Sequence, residues 1–213
     1  MKIQLIEVSG LRGALLGMRL PMCLSLAEAE EKSDSSMSLK VIGSEDMRIC
    51  KALIKGDANS GHGQPNSKFL RMIHAQICIT APLYWWKEFD TYKVGTVSNS
   101  TSTMHKLAYN PITLECFETD EADPLTLPMW EFIVNECEDL RKKYLETKDK
   151  SYWKELVKLL PSSWLQTRIV DLDYQTLGNV YHWRKNHKLT EWHKFCEFVK
   201  EVLPYAKDFI TGE

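Results

Sequence analysis

The chain has 213 residues, 44% hydrophobic and 26% charged, a globular composition long enough for one substantial core. A formal net charge of -2 and a pI near 6.3 give no general electrostatic reason to gather nucleic acid. No apolar run reaches the roughly 18 residues of a membrane span, and the stretch from Gly10 to Leu26, loosely like a signal sequence, is interrupted by Arg12, Arg19 and Pro21.

One domain over 1–213 is the expectation. Lys2 to Val8 alternates as a short strand and Ser9-Gly10 ends it. The apolar segment that follows has no clear period. Residues 28–38 are polar and poor in large apolar groups, which suggests a mobile loop. Ser44-Glu45-Asp46 is a helix start, with a capping hydroxyl and two carboxylates at the positive end of the dipole. Met47, Cys50, Leu53 and Ile54 form its stripe, up to Gly56. Asp57 to Ser67 is rich in Gly, Asn, Ser and Pro and reads as a loop carrying His62. Ile77, Ile79, Ala81 and Leu83 alternate with Gln76, Cys78, Thr80 and Pro82, the period of a strand.

The second half is more helical. Pro128 opens a helix whose Trp130, Ile133, Cys137, Leu140 and Tyr144 share a face, and another runs from about Ser151 to Pro161. A strand near 165–172 precedes helices over roughly Tyr174 to His187 and Thr190 to Leu203. The class is α+β, with strands mainly in the first half.

The cysteines Cys23, Cys50, Cys78, Cys116, Cys137 and Cys196 are scattered, without a C-x-x-C pair, and point to buried thiols in the cytoplasm. His182, His187 and His193 lack metal-site spacing, so no catalytic metal is expected. Arg184 shares a helix face with Leu177, Val180 and Tyr181; a guanidinium there needs a partner, an internal acid or a bound anion, with the internal pair the commoner case. Thr91 to Thr103 supplies many hydroxyls, an amide and one lysine, which suits a nucleotide or a solvated loop. His62 alone is a surface histidine or a ligand contact. Tyr84, Trp85, Trp86, Phe89 and Tyr92 stack a planar ring or, more commonly, build core.

The run Ala75-Gln76-Ile77-Cys78-Ile79-Thr80-Ala81-Pro82-Leu83-Tyr84, continuing through Lys87-Glu88-Phe89 to Lys106-Leu107, resembles the strand-helix-loop of the flavin-dependent thymidylate synthases (ThyX), which carries R-H-R-x-x-S-x-N-x-x-S-x-R-Y. Pro161 to Arg184 resembles the family's C-terminal block without a gap, with Leu177, Asn179 and Arg184 in place. The resemblance implies a ThyX-like fold, a mixed sheet with a helical C-terminal half, and a homotetramer whose subunits share sites for FAD and dUMP. It further implies one-carbon transfer from methylenetetrahydrofolate with NADPH as reductant.

The departures are extensive. R-H-R becomes Thr91-Tyr92-Lys93, the serines become Thr96 and Thr101, the asparagine becomes Ser98, and the following acid becomes Asn99. The closing R-Y falls on Thr103-Met104, and a glutamine before the signature is Glu88. A further family arginine falls on Val157, with Lys154 and Lys158 nearby. The resemblance thus implies a nucleotide site at Arg184, Glu88, Thr96, Ser98, Thr101 and Thr103, and a cofactor site at His62, Tyr92, Lys93, Asn99 and Asn179; no catalytic residue follows. Three readings compete: a nucleotide-binding protein without normal thymidylate synthase activity, a divergent FAD-dependent nucleotide methylating enzyme, and a structural or interaction protein. The first is preferred.

Overall fold

A computed structural model describes residues 1–36, 41–60, 66–120 and 122–212, with the side chains of all but 57–60, 104 and 105. The strands β1 (Lys2–Ser9), β2 (His74–Pro82), β3 (Thr96–Ser100) and β4 (Leu165–Asp173) form a sheet in the order β1-β2-β4-β3. The helices are α1 (Leu11–Arg19), α2 (Leu26–Lys32), α3 (Ser44–Ser60), α4 (Leu83–Phe89), α5 (Thr103–Lys106), α6 (Leu127–Thr147), α7 (Lys150–Leu159), α8 (Tyr174–Arg184) and α9 (Thr190–Val202). The α+β class and the helical second half are as expected. The sheet is antiparallel where a mixed one was expected. Across β4, Thr80 meets Thr167 on one side, while Gly95 bonds Asp173 and Thr101 bonds Thr167 on the other, so numbers fall on β4 as they rise on its neighbours. Strand direction depends on which end a connection returns to, and hydropathy does not record that.

The chain divides into two compact units. The first comprises Met1–Lys2, Ile79–Thr91 and Asn99–Arg168. In it Trp85, Trp86 and Phe89, at helical spacing on α4, are fully buried and build core, while Tyr84 is half-buried. Trp86 Nε1 donates to the Gln166 carbonyl at 3.0 Å, and the Arg168 guanidinium lies 4.2 Å from a Trp86 ring centre while pairing with Asp90 at 2.7 Å. A second cluster gathers Leu107, Ile112, Phe117, Val134, Cys137 and Leu156 beneath α6 and α7. Pro128 sits in the first turn of α6, where its missing N–H leaves no bond unmade. Arg141, 8% exposed, grips Glu138 through two bonds of 2.7 Å and donates to the Ala108 carbonyl at 3.1 Å.

The second unit comprises Ile3–Cys78, Tyr92–Ser98 and Ile169–Glu213. Here Gly10, at φ 83°, turns the chain from β1 into α1, and a side chain there would meet the Met72 carbonyl oxygen at 1.8 Å. α1 then buries Ala14, Leu15 and Met18. The polar stretch read as a mobile loop from 28 begins inside α2, which Ser25 caps by accepting the Glu28 amide at 3.2 Å; residues 37–40 of the adjoining segment lie outside the described residues. Between them Asp34, and not Ser44, accepts the Glu45 and Asp46 amides of α3 at 2.9 and 3.0 Å, bonds that hold its carboxyl below the usual range. Fully buried Asp46 pairs with Arg19 and accepts the Ser33 and Ser35 hydroxyls. α8 and α9 contribute Leu177, Val180, Trp192, Phe195 and Val199 to this unit's core.

Candidate functional site

The second unit holds Arg184, Tyr92, Lys93, Thr96, Ser98 and Asn179. Asp173 caps α8 by accepting the Thr176 amide at 2.7 Å, and the same turn fastens the segment that carries Tyr92. The Asp173 amide donates to the Gly95 carbonyl at 3.2 Å, and the Thr176 hydroxyl to the Val94 carbonyl at 3.0 Å. Gly95 stands at φ 68°, and a methyl group there would lie 2.0 Å from the Asp173 carboxylate.

That clamp delivers Tyr92 to the end of α8. Arg184, half-buried, donates from Nε to the Tyr92 phenol oxygen at 2.8 Å, and its guanidinium carbon lies 4.7 Å from a Trp192 ring centre. Reading the face of α8 identified Arg184 as enclosed, but not that a phenol and an indole enclose it. Lys93 is exposed, as are Ser98 and Asn179. Asn179 and Arg184 are five positions apart, about 140° around a helix, and so lie on different faces. The Thr96 hydroxyl is shielded and lacks a hydrogen-bond partner among the described residues.

The first unit holds Glu88, Asn99, Thr101 and Thr103. Glu88 is half-buried on α4, and its carbonyl accepts the Thr91 hydroxyl at 2.7 Å; Asn99 is exposed. Thr101 continues the pairing of β3, its amide donating to the Thr167 carbonyl at 2.9 Å and its hydroxyl accepting the Thr167 amide at 3.3 Å. Beyond it the chain turns into α5 and lines an open cleft of about 250 Å³. Its polar lining is Thr101, Ser102, Thr103, Lys106 and Asn110, and no carboxylate lines it among the described residues. Lys106 leans over the Tyr109 ring, 4.2 Å from its centre. Leu107 and Trp164 form part of the apolar wall.

The structure therefore joins Arg184 to Tyr92, and Thr101 to Thr103 around one cavity. Ser102 lies in the hydroxyl-rich stretch that suits a nucleotide; Lys106, near the end of the run that carries the family resemblance, and Asn110 have no local signal that marks them. His62 lies outside the described residues. Among those described, no group of three His, Cys, Asp or Glu side chains is placed to hold a metal ion, and no helix is long and apolar enough to cross a membrane.

Neither protein-family models nor curated proteins give a match. Solved structures do. Two structures of a flavin-dependent thymidylate synthase ThyX from Helicobacter pylori, both with FAD and dUMP, superpose at TM-scores of 0.69 and 0.70. Each is 16% identical, over 99% of this chain and 97% of the other. The chain has the fold of the flavin-dependent thymidylate synthases. A UMP/dUMP methylase, PolB from Streptomyces cacaoi, bound with 5-Br dUMP, also matches at a TM-score of 0.60 and 11% identity, over 97% of this chain and 90% of that one. The ThyX fold thus accommodates this sequence over nearly its whole length at 16% identity.

Proposed function

We propose that this chain is a nucleotide-binding protein on the ThyX fold that does not carry out ordinary thymidylate synthesis. The cavity at Thr101, Ser102 and Thr103 carries this reading. Its hydroxyls and the Asn110 amide offer donors and acceptors to a base or sugar, and Lys106 offers one cation to a phosphate, with no carboxylate in the lining among the described residues to repel it. The solved ThyX neighbours are complexed with dUMP, which makes a pyrimidine mononucleotide the first ligand to try.

Those neighbours are also complexed with FAD, and the residues of this chain suit it poorly. Of the three motif positions, Thr91 gives its hydroxyl to the Glu88 carbonyl, Tyr92 accepts from Arg184, and Lys93 alone is cationic. Retention of FAD is accordingly expected to be weak. A divergent flavin-dependent methylating enzyme remains the second reading, favoured by the exposure of Lys93 beside the Tyr92–Arg184 contact. Six free cysteines suit the reducing cytoplasm, and the assembly is read as a homo-oligomer.

Isothermal titration with dUMP and UMP tests the reading. Lys106→Ala should weaken either by about 10-fold or more, the loss of a charge-assisted contact. Absence of heat and of any thermal shift with mononucleotides at millimolar concentration would reject it. A stoichiometric flavin spectrum in freshly purified protein would favour the enzyme instead.

A further inference from the structure

The C-terminal end of α8 carries a surface separate from the mononucleotide cleft. No Asp or Glu stands between Asp173 and Glu191, and Glu191 is buried, so this stretch presents only cations and neutral groups to solvent. Lys185 and Lys188 are exposed there. Lys93 is exposed as well, next in the chain to the Tyr92 that meets Arg184. None of these three lysines forms an ion pair among the described residues, and all three belong to the second unit. Arg184 itself turns onto Tyr92 and Trp192 and takes no part in this surface.

An indole stands among these cations. Trp183 is 72% exposed, and the His182 ring stands at a right angle to it with centres 4.9 Å apart, a contact that braces the indole and leaves most of it in water. His182 and Asn186 are exposed too, and helical spacing places them on the same side as Trp183. A large aromatic ring in water beside unpaired ammonium groups suits a ligand that is planar and anionic at once. We propose that this surface binds single-stranded nucleic acid, with Trp183 stacking on a base and Lys93, Lys185 and Lys188 following the phosphates.

The chemistry of the surface selects that ligand. A duplex keeps its bases stacked on one another, so an exposed indole adds nothing to its binding, whereas the unpaired bases of a single strand offer it their faces. An anionic bilayer would attract the same lysines, but a helix that lies in a membrane needs a continuous apolar face. The neighbours of Trp183 on this side are His182 and Asn186, whose ring nitrogens and amide suit the polar edges of bases. The chain's net charge of -2 does not oppose the binding. Exposed charges are screened beyond about 8 Å at physiological salt, so a strand lying here responds to the local lysines and not to the whole molecule.

The experiment is fluorescence anisotropy of labelled oligo(U) and oligo(dT) of about 12 nucleotides with the full chain, beside a duplex of equal length and co-sedimentation with phosphatidylserine vesicles. Single strands should bind more tightly than the duplex. The logarithm of their affinity should fall with the logarithm of salt concentration at a slope of about -2, or about -0.7 for each of three lysines. Trp183→Ala should weaken binding about 10-fold and Trp183→Phe much less, because a phenyl ring still stacks. Lys188→Ala should weaken it too and make the salt slope shallower by about 0.7. Both side chains are exposed, so these variants should melt with the parent. Lys106→Ala, which probes the mononucleotide cleft, should leave oligonucleotide affinity unchanged. No anisotropy change at about 100 μM protein, a specific complex lying well below that concentration, would overturn the proposal. So would an affinity indifferent to Trp183→Ala, tighter binding of the duplex, loss of binding in Lys106→Ala, or uptake on vesicles without binding of either oligonucleotide.

Discussion

The Arg184 guanidinium donates from Nε to the Tyr92 phenol at 2.8 Å, a contact between residues 92 positions apart. A ligand phosphate drawing on Arg184 must compete with this phenol and with the Trp192 face, 4.7 Å from the guanidinium carbon. Tyr92→Phe keeps the ring and removes the acceptor. It should lower stability by about 1 kcal/mol, the net value of such a bond at a half-buried site. If Arg184 serves a nucleotide, the same variant should bind the anion about 2- to 10-fold more tightly, since the competitor is gone. Urea denaturation reads the first effect and calorimetric titration the second; unchanged affinity beside reduced stability would leave Arg184 a structural residue.

Gly95 should be the least replaceable glycine of the segment leading into β3. Its φ of 68° disfavours any side chain, and a methyl group would meet the Asp173 carboxylate at 2.0 Å and the Thr176 hydroxyl at 2.6 Å. Gly95→Ala should therefore cost about 2–4 kcal/mol, combining backbone strain with damage to the α8 cap. Gly212→Ala has a similar φ of 71° with nothing within 4 Å, and should cost only about 1 kcal/mol. Chemical denaturation of the two variants side by side checks the difference; equal losses would mean that the contact with Asp173 contributes nothing.

These elements also show what the sequence could and could not convey. The alternation of Ile77, Ile79 and Ala81 identified β2 because one face is buried and the other only half so. β3 has the sequence pattern of a loop because it is exposed on both faces, so no hydrophobic period marks Thr-Val-Ser-Asn-Ser. α2 leaves little trace in the sequence for a related reason: it buries only Ala29 and is held by the Ser25 cap and by a Glu28–Lys32 pair at 2.6 Å. At the site, the helical face of Arg184 was legible, but Tyr92 is 92 positions away and reaches it only through the turn at Gly95. The cavity at Thr101 to Thr103 depends on Asn110 and Trp164 arriving from separate segments, which composition and spacing do not encode.

Cysteine reactivity should separate into two classes. Burial pushes the Cys50 and Cys196 thiols up to about 12 and Cys137 up to about 11, and all three are buried. Cys23, Cys78 and Cys116 are partly accessible. Only a thiolate that reagent can reach reacts quickly. Alkylation of the native protein at pH 8, mapped by mass spectrometry, should label Cys23, Cys78 and Cys116 first and the other three only on unfolding. Rapid native labelling of Cys50 would contradict the packing of α1 against α3, where its thiol lies 3.3 Å from the Met18 sulfur.

Acid should weaken the first unit through Glu138. The two bonds from Arg141, together with the Ile112 amide at 2.8 Å, hold its carboxyl below the ordinary value of 4.5, in a side chain 16% exposed. A carboxyl whose folded value is depressed contributes stability that is fully present above its unfolded value and is lost as pH falls through the folded one. The contribution should thus be intact at pH 7 and decline below about pH 4.5. Glu138→Gln removes the titrating group and leaves buried Arg141 without its charge partner. At pH 7 that should cost about 3 kcal/mol, and the gap between variant and parent should narrow as pH falls below 4, where the parent loses the same charge. Urea midpoints measured from pH 7 down to pH 3 decide it: a gap that stays constant over that range would show that Glu138 stabilises α6 by packing and hydrogen bonding alone, without its charge.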